Sequence, residues 1–171
     1  MIHKNIKILL SSVALGYAIL QFIEGFIGNG IFFVLLSSLI LFLYFRNEII
    51  LLSFLKMRKQ DLAGTERLLL RIKNPQAVLV KKQQGYYNYL FGIIYSQRNL
   101  NEAEKFFKSA LKLGLSMDHD IAMTKLSLAG IAMQKRRKIE AQTLLTEAKK
   151  LDKGGLLLDQ VKLMQQQLKR I

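Results

Sequence analysis

The sequence predicts an all-α chain: two N-terminal transmembrane helices, a solenoid of helical hairpins and a C-terminal capping helix. Three observations predict it. Residues 8–45 hold one acid, Glu24, and no base, in a chain whose net charge is +14. Gly92, Ala103, Phe107 and Ala110 recur as Gly130, Ala141, Leu145 and Ala148, every member displaced by the same interval along the chain. Leu157, Val161, Met164, Leu168 and Ile171 form a narrow apolar stripe at alternating steps of 4 and 3. The organisation that follows is a hairpin over residues 1–45, a juxtamembrane helix and candidate first repeat over 46–75, two repeats over 76–153 and the cap over 154–171.

The first apolar run, residues 8–27, is about 20 residues long and spans about 30 Å as a helix, the thickness of a hydrocarbon core. Gly28-Asn29-Gly30 reads as an immediate reversal. The second helix, over 31–45, is then short for a span unless Arg46 snorkels at its foot. A cleaved signal peptide fits poorly, since the apolar run continues past Ala14-Leu15-Gly16 and a second span follows. A buried soluble pair would leave almost no polar surface. Lys4 and Lys7 precede the hairpin, Arg46, Lys56, Arg58 and Lys59 follow it, and the loop between has no base. Basic flanks stay cytoplasmic, so both termini and the repeats are expected there, at a bacterial inner membrane.

Inside the hairpin, Tyr17, Gln21, Glu24 and Gly28 share one face of the first helix, and Ser37 and Ser38 are expected at the depth of Tyr17. These are the expected helix-contact residues. Glu24 reads either as a solvated interfacial acid or as a functional one, a contact with another membrane subunit or a protonatable site.

Residues 48–59 carry seven apolar positions and end in Lys56, Arg58 and Lys59. They read either as a helix on the membrane surface or as the first helix of the repeat array. After Asn74-Pro75 a helix runs toward Gln97, with Gly85 as its weak point. Between Gly and Ala each repeat breaks at a polar turn, Gln97-Arg98-Asn99 in one copy and Lys135-Arg136-Arg137-Lys138 in the other. The small residues let two antiparallel helices approach, while Phe107 or Leu145 fills the space beside them.

Leu90-Phe91-Gly92, Tyr95, Asn101-Glu102-Ala103, Phe107 and Ala110-Leu111 resemble a tetratricopeptide repeat, a two-helix solenoid unit. The second copy is looser, with Met133 for Tyr95, Leu145 for Phe107 and no closing proline. The spacing between copies exceeds the family's period of about 34 by four. A weaker copy fits Ala63 and Pro75, with Leu68, Leu69 and Ile72 as filling and Arg67 in place of the aromatic. The resemblance implies that Tyr87, Phe91 and Tyr95 are core. It also implies that Tyr86, Tyr89, Ile93, Ser96 and Gln97, with Thr124, Ser127, Ile131, Gln134 and Lys135, line a concave groove for a peptide or partner helix. The Lys and Asn array with which some members clamp acidic chaperone tails is not matched.

From residue 46 onward the chain holds 24 of its 26 bases and 11 of its 12 acids, a charge that attracts acidic protein, anionic lipid or nucleic acid. Lys135, Arg136, Arg137 and Lys138 are the densest basic run, either a solvated turn or an anionic contact. No aromatic and Arg platform accompanies them, which disfavours nucleic acid. The terminal stripe serves as a cap or as a dimer seam, the route to a homo-oligomer. The chain has no cysteine, and Asp118-His119-Asp120 points its acids apart in a loop. With no phosphate-binding loop, nucleophile elbow or paired carboxylates, the expectation is a non-enzymatic membrane-anchored adaptor or scaffold without cofactor. The competing expectation is an accessory subunit of a larger integral-membrane complex that makes its contact through the hairpin.

Overall fold

The computed structural model describes residues 4–45 and 47–170, and among them every regular element is an α-helix. His3, Arg46 and Ile171, which the sequence places beside the membrane, at the foot of the second span and at the end of the terminal stripe, lie outside the described residues. The chain divides into two compact units, Met1–Gln83 and Gln84–Ile171.

The first unit opens with α1 (Lys4–Ile23) and α2 (Ile27–Phe45), packed as an antiparallel hairpin. Their reversal is at Glu24 to Phe26, not at Gly28 to Gly30. Gly25 supplies the left-handed φ of 82°, and the Phe26 amide returns to the Gln21 carbonyl at 2.9 Å. One glycine at positive φ is enough to turn the chain, so Gly28 and Gly30 fall inside α2. Gly30 serves packing instead: a Cβ there would lie 2.6 Å from the Phe22 ring. Moving the turn back lengthens α2 to 19 residues, about 28 Å, and removes the shortness expected of the second span. Both helices are long and apolar enough to cross a membrane.

The first of the repeat hairpins follows, α3 (Glu48–Arg58) and α4 (Leu62–Leu69). Asn47 caps α3 by accepting the Ile49 amide at 3.0 Å, and Asp61 caps α4 by accepting the Gly64 amide at 2.7 Å. The short α5 (Pro75–Val78) begins with Pro75 in its first turn, behind an Asn74 cap.

The second unit holds α7 (Leu100–Leu113), α8 (Asp118–Gln134), α9 (Lys138–Leu151), α10 (Leu158–Leu168) and most of α6 (Lys81–Ser96). The period seen in the sequence governs the helix ends. α3, α6 and α8 stop at Arg58, Ser96 and Gln134, while α4, α7 and α9 start at Leu62, Leu100 and Lys138, and both sets advance by that same interval. Burial follows the same period. Thr65, Leu69 and Ile72 occupy the positions of Ala103, Phe107 and Ala110 and of Ala141, Leu145 and Ala148, and all are buried.

This corrects the register of the first copy. Ala63 and Arg67 are exposed, so Thr65 takes the small-residue position and Leu69 the large one, two places later than Ala63 and Pro75 suggest. Pro75 starts α5 rather than closing the repeat, because α4 has already ended at Leu69. The turns of the first and third hairpins also match. Gln60 and Arg136 sit at φ 59° and 57°, and their amides bond Met57 and Met133 carbonyls at 2.9 Å.

Gly85 is no weak point, since α6 runs through it. A Cβ there would lie 2.4 Å from the Gly114 carbonyl oxygen, so the glycine permits a close crossing of α6 with the end of α7. The terminal stripe is consumed in the core: Leu157, Val161 and Leu168 are buried together with Ala129, Ala132 and Leu145, and Met164 packs against them. Asp152 ties the approach to α10 by accepting the Leu156 and Leu157 amides at 3.1 and 2.7 Å.

Candidate functional site

The hairpin of the first unit is built inside out. The seam between α1 and α2 holds Lys7, Ser11, Ala18 and Gln21 against Gly30 and Ser37, all buried, whereas Val13 and Leu35 are 62% and 64% exposed. Ser11 Oγ lies 3.0 Å from Ser37 Oγ, and Ser37 Oγ donates to the Ser11 carbonyl at 2.9 Å. Of the expected contact residues, Ser37 and Gln21 are in the seam and Ser38 is exposed on the other side. Tyr17 meets Phe33 edge to face at 4.7 Å instead of a serine. The register differs because the turn is centred on Gly25. Glu24 has a partner within the hairpin: Gln21 donates to it at 3.2 Å and accepts from Asn29 at 3.1 Å, a polar cluster at the turn. At the opposite mouth Lys7 donates to Glu48 at 2.7 Å and to the Leu43 carbonyl at 3.2 Å.

The groove implied by the resemblance is not an open surface. Tyr86 and Tyr89 are each 7% exposed, and Thr124 and Ile131 are buried as well. Tyr86 donates to Asp120 at 2.6 Å and accepts from the Ser116 amide at 3.2 Å. Tyr89 lies near Phe107, and burial first, with Asp120 and Tyr86 adding to it, pushes its phenol up to about 12. Phe91 is buried as expected and stacks on Phe106 at 5.3 Å, with Tyr87 and Tyr95 half-buried beside this ring cluster. Helix α6 is covered on more than one side, which is why its aromatics exceed one core stripe. Thr124 returns its hydroxyl to the Asp120 carbonyl at 2.7 Å and Ser127 does so to Met123 at 3.0 Å. Ile93 and Ser127 are half-buried, and Ser96, Gln97 and Gln134 remain exposed.

The basic turn also divides. Glu104, on α7, accepts from both terminal guanidinium nitrogens of Arg137 at 2.9 and 2.7 Å, from Lys135 at 2.7 Å and from Lys108 at 2.6 Å. The Arg137 guanidinium, opposed by burial and reinforced by Lys108 and Lys135, holds the Glu104 carboxyl well below the usual carboxylate range. Lys135 donates also to Asn101 at 2.6 Å. Lys135 and Arg137 are therefore committed to joining α7 to the α8–α9 turn. Arg136 and Lys138 are exposed.

Those two bases rim an open groove that sequence reasoning missed. One lobe, about 420 Å³, is lined by Gly130, Met133, Gln134, Met164, Gln167 and Arg170. An adjoining lobe of about 580 Å³ shares Met133, Gln134 and Arg170 and adds Arg136 and Lys138. Met133 and Met164 make an adaptable apolar floor, the rim is basic, and no acid is among the described lining residues. The available signal was the polar side of the terminal stripe, where Gln167 and Arg170 stand beside Met164 and Leu168.

Asp118 and Asp120 stand in the first turn of α8, not in a loop, and diverge to Lys153 at 3.1 Å and to Tyr86; no cluster of three metal-ligating side chains exists among the described residues. No family model, curated protein or solved structure matches this chain.

Proposed function

We propose that the protein is a membrane-anchored helical-repeat adaptor of the tetratricopeptide type, which holds an acidic peptide or amphipathic helix at the cytoplasmic membrane face. The carrying observation is the Met133 and Met164 floor rimmed by Arg136, Lys138 and Arg170 at the end of the repeats. An apolar trough with basic edges and no acid in its lining complements a segment whose apolar residues are flanked by Asp or Glu. The inside-out hairpin supports the anchor. Serine hydroxyls buried between helices and leucines facing outward suit lipid, where burial of apolar surface between helices brings no gain. Lys56, Arg58 and Lys59 beyond α2 support the cytoplasmic side.

A second reading, an accessory subunit of a larger integral-membrane complex, is favoured by the hairpin's outer surface, where Val13, Ile19, Leu35 and Leu39 are each more than half exposed. Binding of anionic lipid or nucleic acid through residues 135–138 loses support, because Lys135 and Arg137 are already engaged by Glu104.

Photo-crosslinking from the full-length chain in native membranes tests these readings, with the reactive group at Gln134 in one variant and at Leu35 in another. A specific protein adduct from Gln134, lost when Arg136, Lys138 and Arg170 are changed together to Glu, supports the adaptor. An adduct only from Leu35 makes the chain a subunit held through its hairpin.

A further inference from the structure

We propose that α3 is a membrane-surface helix whose Leu51, Leu52 and Leu55 enter the acyl boundary while Arg58 and Lys59 meet anionic headgroups. The inference rests on the reading of α1 and α2 as membrane-spanning.

The helix has two apolar faces where hairpin packing needs one. Ile49, Ile50 and Ser53 are buried, and α3 packs with α4. Leu51, Leu52 and Leu55 are 45%, 48% and 50% exposed. At about 100° per residue these three fall within a single arc of about 100°, away from the buried positions. Nothing in the first hairpin requires leucine there, because its core positions are supplied by Thr65, Leu69 and Ile72.

The position of α3 selects lipid as the occupant. Only Arg46 and Asn47 separate α2 from α3. The first residue of α3, Glu48, is held at 2.7 Å by Lys7 of α1, whose ammonium also reaches the Leu43 carbonyl near the end of α2. The start of α3 is thus fixed at the mouth of the hairpin, where the apolar surface of α1 and α2 ends. A leucine arc that begins at that level adjoins the lipid-facing surface, as the apolar face of an interfacial helix does. Charge agrees with this. Glu48 is the one acid on the leucine side of α3 and is neutralised by Lys7, Lys56 is paired with Asp61 at 2.8 Å, and exposed Arg58 and Lys59 stand at the far end. Bases at the edge of an apolar arc favour an anionic surface.

The chain has no cysteine, so single cysteines report individual positions in the full-length protein. Leu51→Cys, Leu55→Cys, Leu35→Cys and Ile139→Cys, each carrying an environment-sensitive fluorophore, are reconstituted in phosphatidylcholine vesicles with phosphatidylglycerol and nitroxide-labelled lipid. Quenching at residues 51 and 55 comparable with that at 35, and absent at 139, is the expected result. Adding Arg58→Glu and Lys59→Glu should lower quenching at 51 and leave 35 unchanged. If 35 is quenched while 51 and 55 stay open to an aqueous quencher, the inference fails and the spanning hairpin stands. If 51 and 55 are shielded from both lipid and aqueous quenchers, protein covers the face and the inference fails. If 35 itself is not quenched, the spanning reading fails and this inference falls with it.

Discussion

Arg137 closes on Glu104 with both terminal guanidinium nitrogens, 2.9 and 2.7 Å from separate carboxylate oxygens, across the space between α7 and the α8–α9 turn. Arg136, immediately before it, takes the left-handed φ of 57° that turns the chain, and so releases Arg137 toward α7 while staying exposed itself. One turn thus divides its bases between an internal clamp and the rim of the groove. This is the reason the charge run in the sequence overstates the free charge on the protein.

Replacing Glu104 with Gln removes the common acceptor of Arg137, Lys135 and Lys108. Its side chain is 11% exposed while its partners are more open, so a cost of roughly 2–3 kcal/mol is expected, below the 3–5 kcal/mol typical when a fully buried pair is broken. The pH dependence has a definite sign. The folded-state carboxyl is held below its ordinary value of 4.5, so its contribution is complete above that pH and disappears as pH falls below it toward the lowered value. Urea unfolding of the full-length protein in mild detergent, followed by tyrosine near-ultraviolet dichroism, should show a wild-type advantage at neutral pH that narrows in acid. A pH-independent difference between the two proteins would contradict this.

The repeated glycines should respond oppositely to the same change. At Gly92 a Cβ would lie 2.6 Å from the Phe107 ring, so Gly92→Ala overpacks the α6–α7 crossing and should cost about 1–3 kcal/mol. At Gly130 the nearest atom is the Met164 Cε at 3.6 Å, an ordinary contact. There alanine's higher helix propensity, up to about 1 kcal/mol, should leave stability unchanged or raised. Gly85→Ala, facing the Gly114 carbonyl at 2.4 Å, should be the most damaging of the three, because backbone cannot swing aside. Thermal midpoints of the three variants order these effects, and equal losses at Gly92 and Gly130 would refute the packing account.

The sequence made some of this legible and hid the rest for physical reasons. Segregated charge exposed the apolar helices, and the regular spacing of small and large residues found the second and third hairpins. Turn placement was hidden because Gly25, Gly28 and Gly30 are equally able to reverse a chain; in the fold Gly25 takes the positive φ and Gly30 packs against Phe22. The first hairpin's register was masked because Thr65 replaces alanine and Leu69 replaces the aromatic, so Ala63 offered a false match. The groove assignment failed at Tyr86 and Tyr89 because helical spacing fixes which residues share a face, not how many faces are covered. The Glu104 clamp joins residues far apart in the chain and leaves no local pattern.

The tyrosines of α6 give an alkaline signature. Burial raises Tyr86, Tyr87 and Tyr89 above the ordinary 10.0, with Tyr89 reaching about 12. A phenol raised by folding contributes stability that is intact below pH 10 and is lost as pH climbs toward 12. Phenolate absorbance should therefore rise in two stages, the later one coinciding with loss of near-ultraviolet dichroism. Tyr89→Phe should diminish the late stage. If Tyr86, Tyr87 and Tyr89 ionised in the ordinary range while the dichroism persisted, the buried α6 face would be wrong.

The position of the hairpin turn can be read from a pair of engineered cysteines. With the reversal at Gly25, Ser11 and Ser37 face each other, their hydroxyl oxygens 3.0 Å apart in the seam. A disulfide needs sulfurs about 2.05 Å apart on Cβ atoms roughly 3.8 Å apart, a geometry within small adjustment of this contact. With the reversal at Gly28 to Gly30, Tyr17 would instead lie level with Leu41, yet Leu41 is exposed and Tyr17 packs on Phe33. Mild oxidation in membranes should therefore cross-link Ser11→Cys with Ser37→Cys within one chain and leave Tyr17→Cys with Leu41→Cys reduced. The native chain supplies no thiol that could compete. The opposite pattern would move the turn to the later glycines and confine α2 to the stretch 31–45 that the sequence first suggests, too short to span without tilt or thinning of the bilayer.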